Sequence, residues 1–510
     1  MPADTAAQKK IIHIIRAQRL NYKKINDTAE FQSLAGNVVM QQEKTLFYCD
    51  SAVLNKHTNI LEAFGHVHIN DNDSVNTYAD YLRYVGNEKK AFLNKNVMLT
   101  DGKGTLTTPS LEYDLITKLG TYLQGGKLVD DKTTLISTEG YYYGETRDVI
   151  FKKKVVMIDP DYTVKTDTLL YNTYTGIATF IVPTEIVSGT KKINTTDGYY
   201  DTKNKKYYFD KRPTIQDSAT LLTADEVAFD DSTGFGEARG NVIYKDTAQK
   251  TTILSNNLKS NRKENSFLAT EKPVMIIKQE EDSIFIAADT LYSAKLSVLE
   301  KSRTVPLVDT SLHSKNNKQD SSKDRFIEAY YHVKIFSDSL QAVGDSLFYS
   351  AQDSVFRLFK QPIVWAQDNQ ITGDTIYLYT QNKKPKRMYV FENAMALSKV
   401  RSGYFNQIKG RTINGYFSNG NIDYLRTKGN AESVYYALDD NNKFIGVNKA
   451  TCDVIDMYFD NKKLQKVALR NNVTGTMYPM GQVNHEDIKL RGFKWQDDRR
   501  PKSQYELFGD

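Results

Sequence analysis

The chain has 510 residues, with 68 Lys and Arg against 62 Asp and Glu for a net charge of +6, and 33 Tyr and 23 Phe beside only 11 Pro. The two signs are interleaved without a basic block, which argues against an electrostatic nucleic-acid footprint; a mean hydropathy of −0.54 and the lack of any apolar run near the roughly 20 residues of a spanning helix argue against a transmembrane segment. Abundant Tyr, Phe and Thr with little Pro favours half-buried strands over helices.

Residues 1–10 read as a disordered N-terminus, and the apolar stretch from Ile11 to Ile15 is too short, and too interrupted by His13, for a signal-peptide core. The sequence as given therefore carries no export signal, and its start equally suits a chain whose signal has been removed. IIHIIRAQRL (11–20) reads as a first strand with no preceding unit to pair with. From there two phrases alternate along the chain. One is a turn-forming pair followed by β-branched residues: GNVVM (36–40), GHVHI (65–69), KNVML (95–99), KKVVMI (153–158), GNVIY (240–244), KPVMII (272–277) and QPIVWA (361–366). The other is a short polar residue followed by aliphatic and aromatic ones, placed at Asp50, Asp80, Ser110 and Gly140 at intervals of 30. That column continues through Asp167, Asp197, Asp225, Asn256, Asp289, Asp345, Asp374, Arg411 and Asp453.

A fixed period of this size is the mark of a repeat architecture, in which no unit covers its own apolar face and stacking buries a shared interior. The expectation is an elongated all-β solenoid of roughly 30-residue units. Regular repeats fill 11–300, a polar insertion or linker follows at 301–326, less regular repeats run over 327–480, and 481–510 forms a charged tail that docks or caps.

The recurring aspartate reads as structural. Catalytic carboxylates come as one or two groups whose surroundings drive their pKa values apart, and a mechanism has no use for about ten copies. A calcium solenoid would show GGxGxD spacing, which is absent. A short polar side chain at a strand entry instead bonds nearby backbone amides and fixes a corner. His66 and His68, two apart on one strand, form a possible metal pair without an identifiable third ligand and read as a solvated strand face. Cys49 and Cys452 lie far apart and read as separate buried thiols. With no nucleophile elbow, phosphate-cradling loop or zinc-binding helix, nothing supports an enzyme or a cofactor.

GNVVMQQEKTLFYCDSAVLN (36–55), GHVHINDNDSVNTYADYL (65–82) and GNVIYKDTAQKTTILSNNL (240–258) together resemble the OstA/LptA family of lipopolysaccharide-transport (organic solvent tolerance) proteins, in a long multi-repeat form covering about 11–480. The resemblance implies a β-jellyroll of two facing antiparallel sheets with an open groove. It implies a non-enzymatic periplasmic protein that binds the lipid A part of lipopolysaccharide and helps carry it toward the outer membrane. Its implied partners are other jellyroll components of a transport bridge, joined by edge-strand addition, or copies of itself, head to tail. Strand alternation then offers Val38 and Met40, Leu46 and Tyr48, and Val67 and Ile69 as groove-lining candidates. Two other readings fit the same repeats. A structural or adhesive β-solenoid of the cell envelope would have a packed interior, and a β-helical carbohydrate-active enzyme would show a local Asp/Arg/Lys cluster breaking the pattern.

Overall fold

The computed structural model describes residues 11–26, 29–71, 75–278, 283–306, 324–381, 384–418, 421–439, 441–460 and 463–508. The expected N-terminal disorder at 1–10 and the 307–323 part of the insertion lie outside them. Almost every described element is an antiparallel strand paired with its sequence neighbours. The chain divides into two compact units, one of residues 1–218 with 225–232 and one of 219–224 with 233–510. The boundary between the units lies within 219–232, away from the expected insertion at 301–326. Strands Thr290–Ala294 and Phe326–Phe336 on either side of that segment are hydrogen-bonded to each other, so the insertion leaves the sheet between two paired strands without interrupting it.

The first unit shows how the two phrases become a fold. Its leading strands are β1 (His13–Arg16), β2 (Arg19–Asn26), β3 (Ala29–Gln42), β4 (Thr45–Asn55), β5 (Ile60–Asp71), β6 (Val75–Val85), β7 (Lys90–Thr100) and β8 (Gly104–Asp114). In the middle of β3, β5 and β7 the register slips: Gly36–Asn37, Gly65–His66 and Lys95–Asn96 are each an extra pair, all with positive φ from 41° to 81°. These are β-bulges, and each bends its strand sharply. Gly65 is needed at its position because a Cβ there would collide with the Asp50 carboxylate, and its φ is +70°. The turn-forming phrase read from the sequence is thus the bulge itself.

Each of β3 to β8 is folded at this corner into two halves. Sheet A takes 38–42, 45–49, 67–71, 75–79 and 97–100, and sheet B takes 29–35, 51–55, 60–64, 81–85 and 90–94. The halves face one another: Phe47 of sheet A meets Tyr84 of sheet B with ring centroids 4.7 Å apart. One continuous cluster of buried side chains runs between them from Ile12 to Phe209. At about 0.8 kcal/mol per buried CH₂, this shared interior is the main stabilising contribution, which no single unit could gather alone.

In the second unit the same corner recurs opposite Asn256, Asp345 and Asp453, with bulges at 240–241, 331–332 and 429–430. Two features depart from the pattern read in the sequence. A helix, Leu296–Ser302, closes the strand Thr290–Ala294 and buries Leu296 and Leu299 against Phe326 and Phe348. Beyond Tyr478 the tail contributes three turns of 3-10 helix, Met480–Gln482, Asp497–Arg499 and Gln504–Leu507, and packs as an extra layer.

The face that the tail covers follows from alternation. Ala394 follows its bulge as Val38 follows Gly36–Asn37, so Ala394 and Ala396 point into the sandwich and Met395 and Leu397 point away from it. Ile488, Leu490, Phe493 and Trp495 of the tail pack on Met395, Leu397, Val434, Tyr436 and Val447. Leu507 and Phe508 pack likewise on Val274 and Phe285. The tail is therefore a docked outer strap over an apolar sheet face, not a cap on the last strand.

Candidate functional site

Three features of the first unit bear on function: the corner, the interior and the mouth. At the corner, Asp50 stands opposite both Gly36–Asn37 and Gly65–His66, and its carboxylate bonds the His66 Nδ1 at 2.8 Å. Asp80 accepts from Asn96 at 2.7 Å in the same way. In the second unit Asp289 pairs with His332 at 2.9 Å, Asp345 with Lys360 at 3.0 Å, Asp374 with Asn393 at 3.0 Å, and Asp453 with Asn472 at 3.0 Å. Arg411 keeps the arrangement with charges reversed, bonding Glu392 at 2.9 Å. The recurring acid is a corner clip, but its partner is the side chain of a bulge residue on the neighbouring strand and not a local backbone amide. Such exposed pairs contribute little each.

Two histidines that the sequence put together are separated by this geometry. His66 belongs to the bulge, and its side chain is 92% exposed. His68 stacks between Tyr48 and Tyr78, with centroids at 5.2 and 4.5 Å, and bonds Asn76 at 2.9 Å. Among the described residues no group of three or more His, Cys, Asp or Glu is placed to hold a metal ion. The hydrogen bond and charge of Asp50, with Asp80 beyond, raise the His66 pKa above its ordinary 6.5. The contribution of this pair is thus fully present below pH 6.5 and fades as the pH rises through the higher native pKa. An NMR titration should place the His66 midpoint above 6.5 and return it toward that value in Asp50→Asn.

The interior holds Val38, Met40, Val67 and Ile69, each at most 1% exposed. Leu46 and Tyr48 do not join them. On the sheet-A half of β4 the buried residues are Thr45, Phe47 and Cys49, while Leu46 and Tyr48 sit half-buried on the outer face. Both alternating sets on this strand are apolar, so the period of two shows the faces but not which one turns inward. Phe47 and Cys49 take their place in the interior. Burial pushes the Cys49 thiol pKa up to about 12, as an apolar surrounding requires.

The mouth lies on the side opposite the corner, where strands end in turns and only side chains join the sheets. Sheet B contributes Tyr84, Tyr113, Tyr142, Tyr171 and Tyr200, each 29 residues after the last and at most 5% exposed. The strand ends and turns of sheet A contribute Gln42, Asp71, Asp101, Asp130 and Asp159. The Tyr84 hydroxyl donates to Gln42, that of Tyr142 to Asp101 at 3.2 Å, and that of Tyr171 to Asp130 at 2.8 Å. Tyr200 packs edge-on against Tyr162 at 4.3 Å. Cations from sheet-B turns reach acids of sheet A: Lys89 to Glu43 at 2.7 Å, Lys118 to Asp71, Arg147 to Asp101 at 3.7 Å and Lys205 to Asp161 at 2.6 Å. Burial raises the pKa of all five tyrosines. Burial also pushes Asp101 upward, but the amides of Lys103 and Gly104 and the hydroxyls of Thr173 and Tyr142 outweigh it and hold the carboxyl below its ordinary value.

This row was missed in the sequence although its 29-residue spacing is as regular as that of the corner. The signal was the interval between two residue types, a Tyr and an acid 41 residues earlier.

Against known proteins, the model of the OstA-like protein family matches residues 9–167 and 152–225. No curated protein matches the chain. Among solved structures, the crystal structure of LptH, described as the LptA homologous periplasmic component of the conserved lipopolysaccharide transport device from Pseudomonas aeruginosa, aligns at 13% identity. The alignment covers 28% of this chain and 81% of that one, with a TM-score of 0.20.

Proposed function

We propose, on the match of the OstA-like family model over residues 9–225, that the chain is a non-enzymatic, periplasmic lipopolysaccharide-binding bridge protein that carries the glycolipid toward the outer membrane. The observation that supports this is the continuous apolar interior between the two sheets, built from the same positions of successive repeats. Equivalent sites in line give acyl chains a path without a large barrier between stations, at about 0.8 kcal/mol per buried CH₂. The chain's partners in this reading are lipopolysaccharide and further jellyroll components, or copies of itself. Addition to the edge at β2 is supported by Leu20, Tyr22 and Ile25, all more than half exposed on a terminal strand.

The lining set is Val38, Met40, Phe47, Cys49, Val67 and Ile69. A photo-crosslinker scanned over 65–70 in cells making lipopolysaccharide should give lipid adducts at 67 and 69 and none at 66 and 68. Native mass spectrometry of the protein purified from the same cells should show bound glycolipid. Adducts without alternation, or no bound lipid, would favour a structural solenoid, whose interior is core and nothing more; the near-zero exposure of the inner side chains is the observation on that side.

A further inference from the structure

The first unit is closed on its two long sides by different means. At the corner the chain itself passes from sheet to sheet through the bulged strands. At the mouth nothing covalent crosses, and the closure is the row of tyrosine–acid and cation–acid pairs. Each such bond contributes about 1 kcal/mol net, because water replaces it when it opens. The row is also incompletely satisfied: among the described residues the buried Tyr113 hydroxyl has no hydrogen-bond partner, and neither has that of Tyr162. Opening would return water to both. What resists opening is the apolar surface behind the row, and acyl chains entering there would cover it again.

We propose that the first unit loads by parting its sheets along this seam, with the bulged corner as the hinge. Acyl chains of an anionic amphiphile enter sideways, while Lys89, Lys118, Arg147 and Lys205 exchange their carboxylate partners for the anionic head group. The inference rests on the reading of the interior as an acyl site. Its own content is the route of entry and the residues that hold it shut. The four cations suit the head-group role because all lie in the sheet-B turns on one side of the mouth and are partly exposed, with side chains from 20% to 52% open to solvent. A free phosphate would meet the same cations without needing the interior.

Cys49 is 5% exposed and sits at the corner end of the interior, the far end from the seam, so a reagent entering by the mouth reaches it once the sheets have parted. In a Cys452→Ser background, N-ethylmaleimide should alkylate Cys49 slowly, with a denaturant dependence much shallower than that of global unfolding. Tyr84→Phe keeps the ring on Phe47 but removes the bond to Gln42, and should speed alkylation about fivefold at unchanged circular dichroism. Lys118→Met, which breaks the ion pair to Asp71 at the rim, should act in the same direction and serves if Tyr84→Phe folds poorly. A pyrene-labelled long-chain fatty acid should bind and shield Cys49, whereas inorganic phosphate should not. Alkylation that occurs only at the rate of global unfolding, or that neither variant accelerates, overturns the seam even if the fatty acid binds. Alkylation that follows the seam, with a fatty acid that neither binds nor shields, overturns the acyl reading and the loading role with it.

Discussion

Val67→Glu should unfold the first unit. Val67 is 1% exposed, follows the Gly65–His66 bulge and points between the sheets beside its cross-strand partner Ala79. A carboxylate there either ionises without a partner or stays protonated at the cost of a strongly raised pKa, and each route costs several kcal/mol. With total stabilities of about 5–15 kcal/mol for ordinary domains, one such substitution is enough. A charge on the outer face of the adjoining strand should be tolerated: Val53 lies half-buried opposite Glu62, so Val53→Lys gains a cross-strand partner and should stay within about 0.5 kcal/mol of the parent. Urea denaturation read by tyrosine fluorescence separates the two. Equal stability of both variants would mean that the inward face has been assigned to the wrong set.

Deleting 479–510 should be the second large effect, confined to the second unit. The strap buries Ile488, Leu490 and Leu507, each 5% exposed or less, and full burial of such a side chain is worth about 2 kcal/mol. It also satisfies buried amides of the sheet. Gln407 accepts from the Leu490 amide at 2.8 Å, Gln370 donates to the Lys494 carbonyl and accepts from the Gln496 amide at 2.7 Å each, and Gln341 accepts two bonds from Arg500 at 2.8 and 2.6 Å. Without the strap, Met395, Leu397, Val434 and Val447 form an exposed apolar patch. Calorimetry should show the melting of 233–478 lowered by several degrees, with concentration-dependent aggregation, and that of the first unit unchanged. A truncated protein that stays monomeric and melts as before would show that the strap adds nothing to stability.

How far the sequence revealed this fold is clearest at the corner. The alternating phrases located the all-β repeats and nearly every corner residue, because a bulge needs a turn-forming pair and the strand opposite needs a short polar side chain. The column slipped where the polar residue was displaced from the corner. Register places Pro109, Thr138 and Thr196 there, so that Asp80, Pro109, Thr138, Asp167, Thr196 and Asp225 follow at a constant 29 residues, one shorter than the interval read from Ser110 and Gly140. In those units an acid or small residue next to the corner drew the alignment toward it. The interior was half legible: on β3 and β5 one face is clearly more apolar, whereas on β4 Leu46 and Tyr48 rival Phe47 and Cys49. The mouth was not legible at all, because a tyrosine's role depends on a partner one and a half units away. The strap read only as charged residues with a Trp and a Phe, since docking on an outer face imposes no period.

The strap also sets an order of assembly. Pairing within the repeats joins neighbouring strands, and even the tyrosine and cation pairs that close the mouth span only 41 to 47 residues. The strap's bonds to Gln407, Gln370 and Gln341 reach back across 83 to 159 residues. Strands can therefore zip up locally as the chain is made, at low entropic cost for each closure. The strap can find its seat only when the strands carrying Gln341, Gln370 and Gln407 are already side by side. It is the latest contact to form and the first to be lost when any of them is misplaced, so its protection from proteolysis amounts to a built-in report on whether the second unit has been completed.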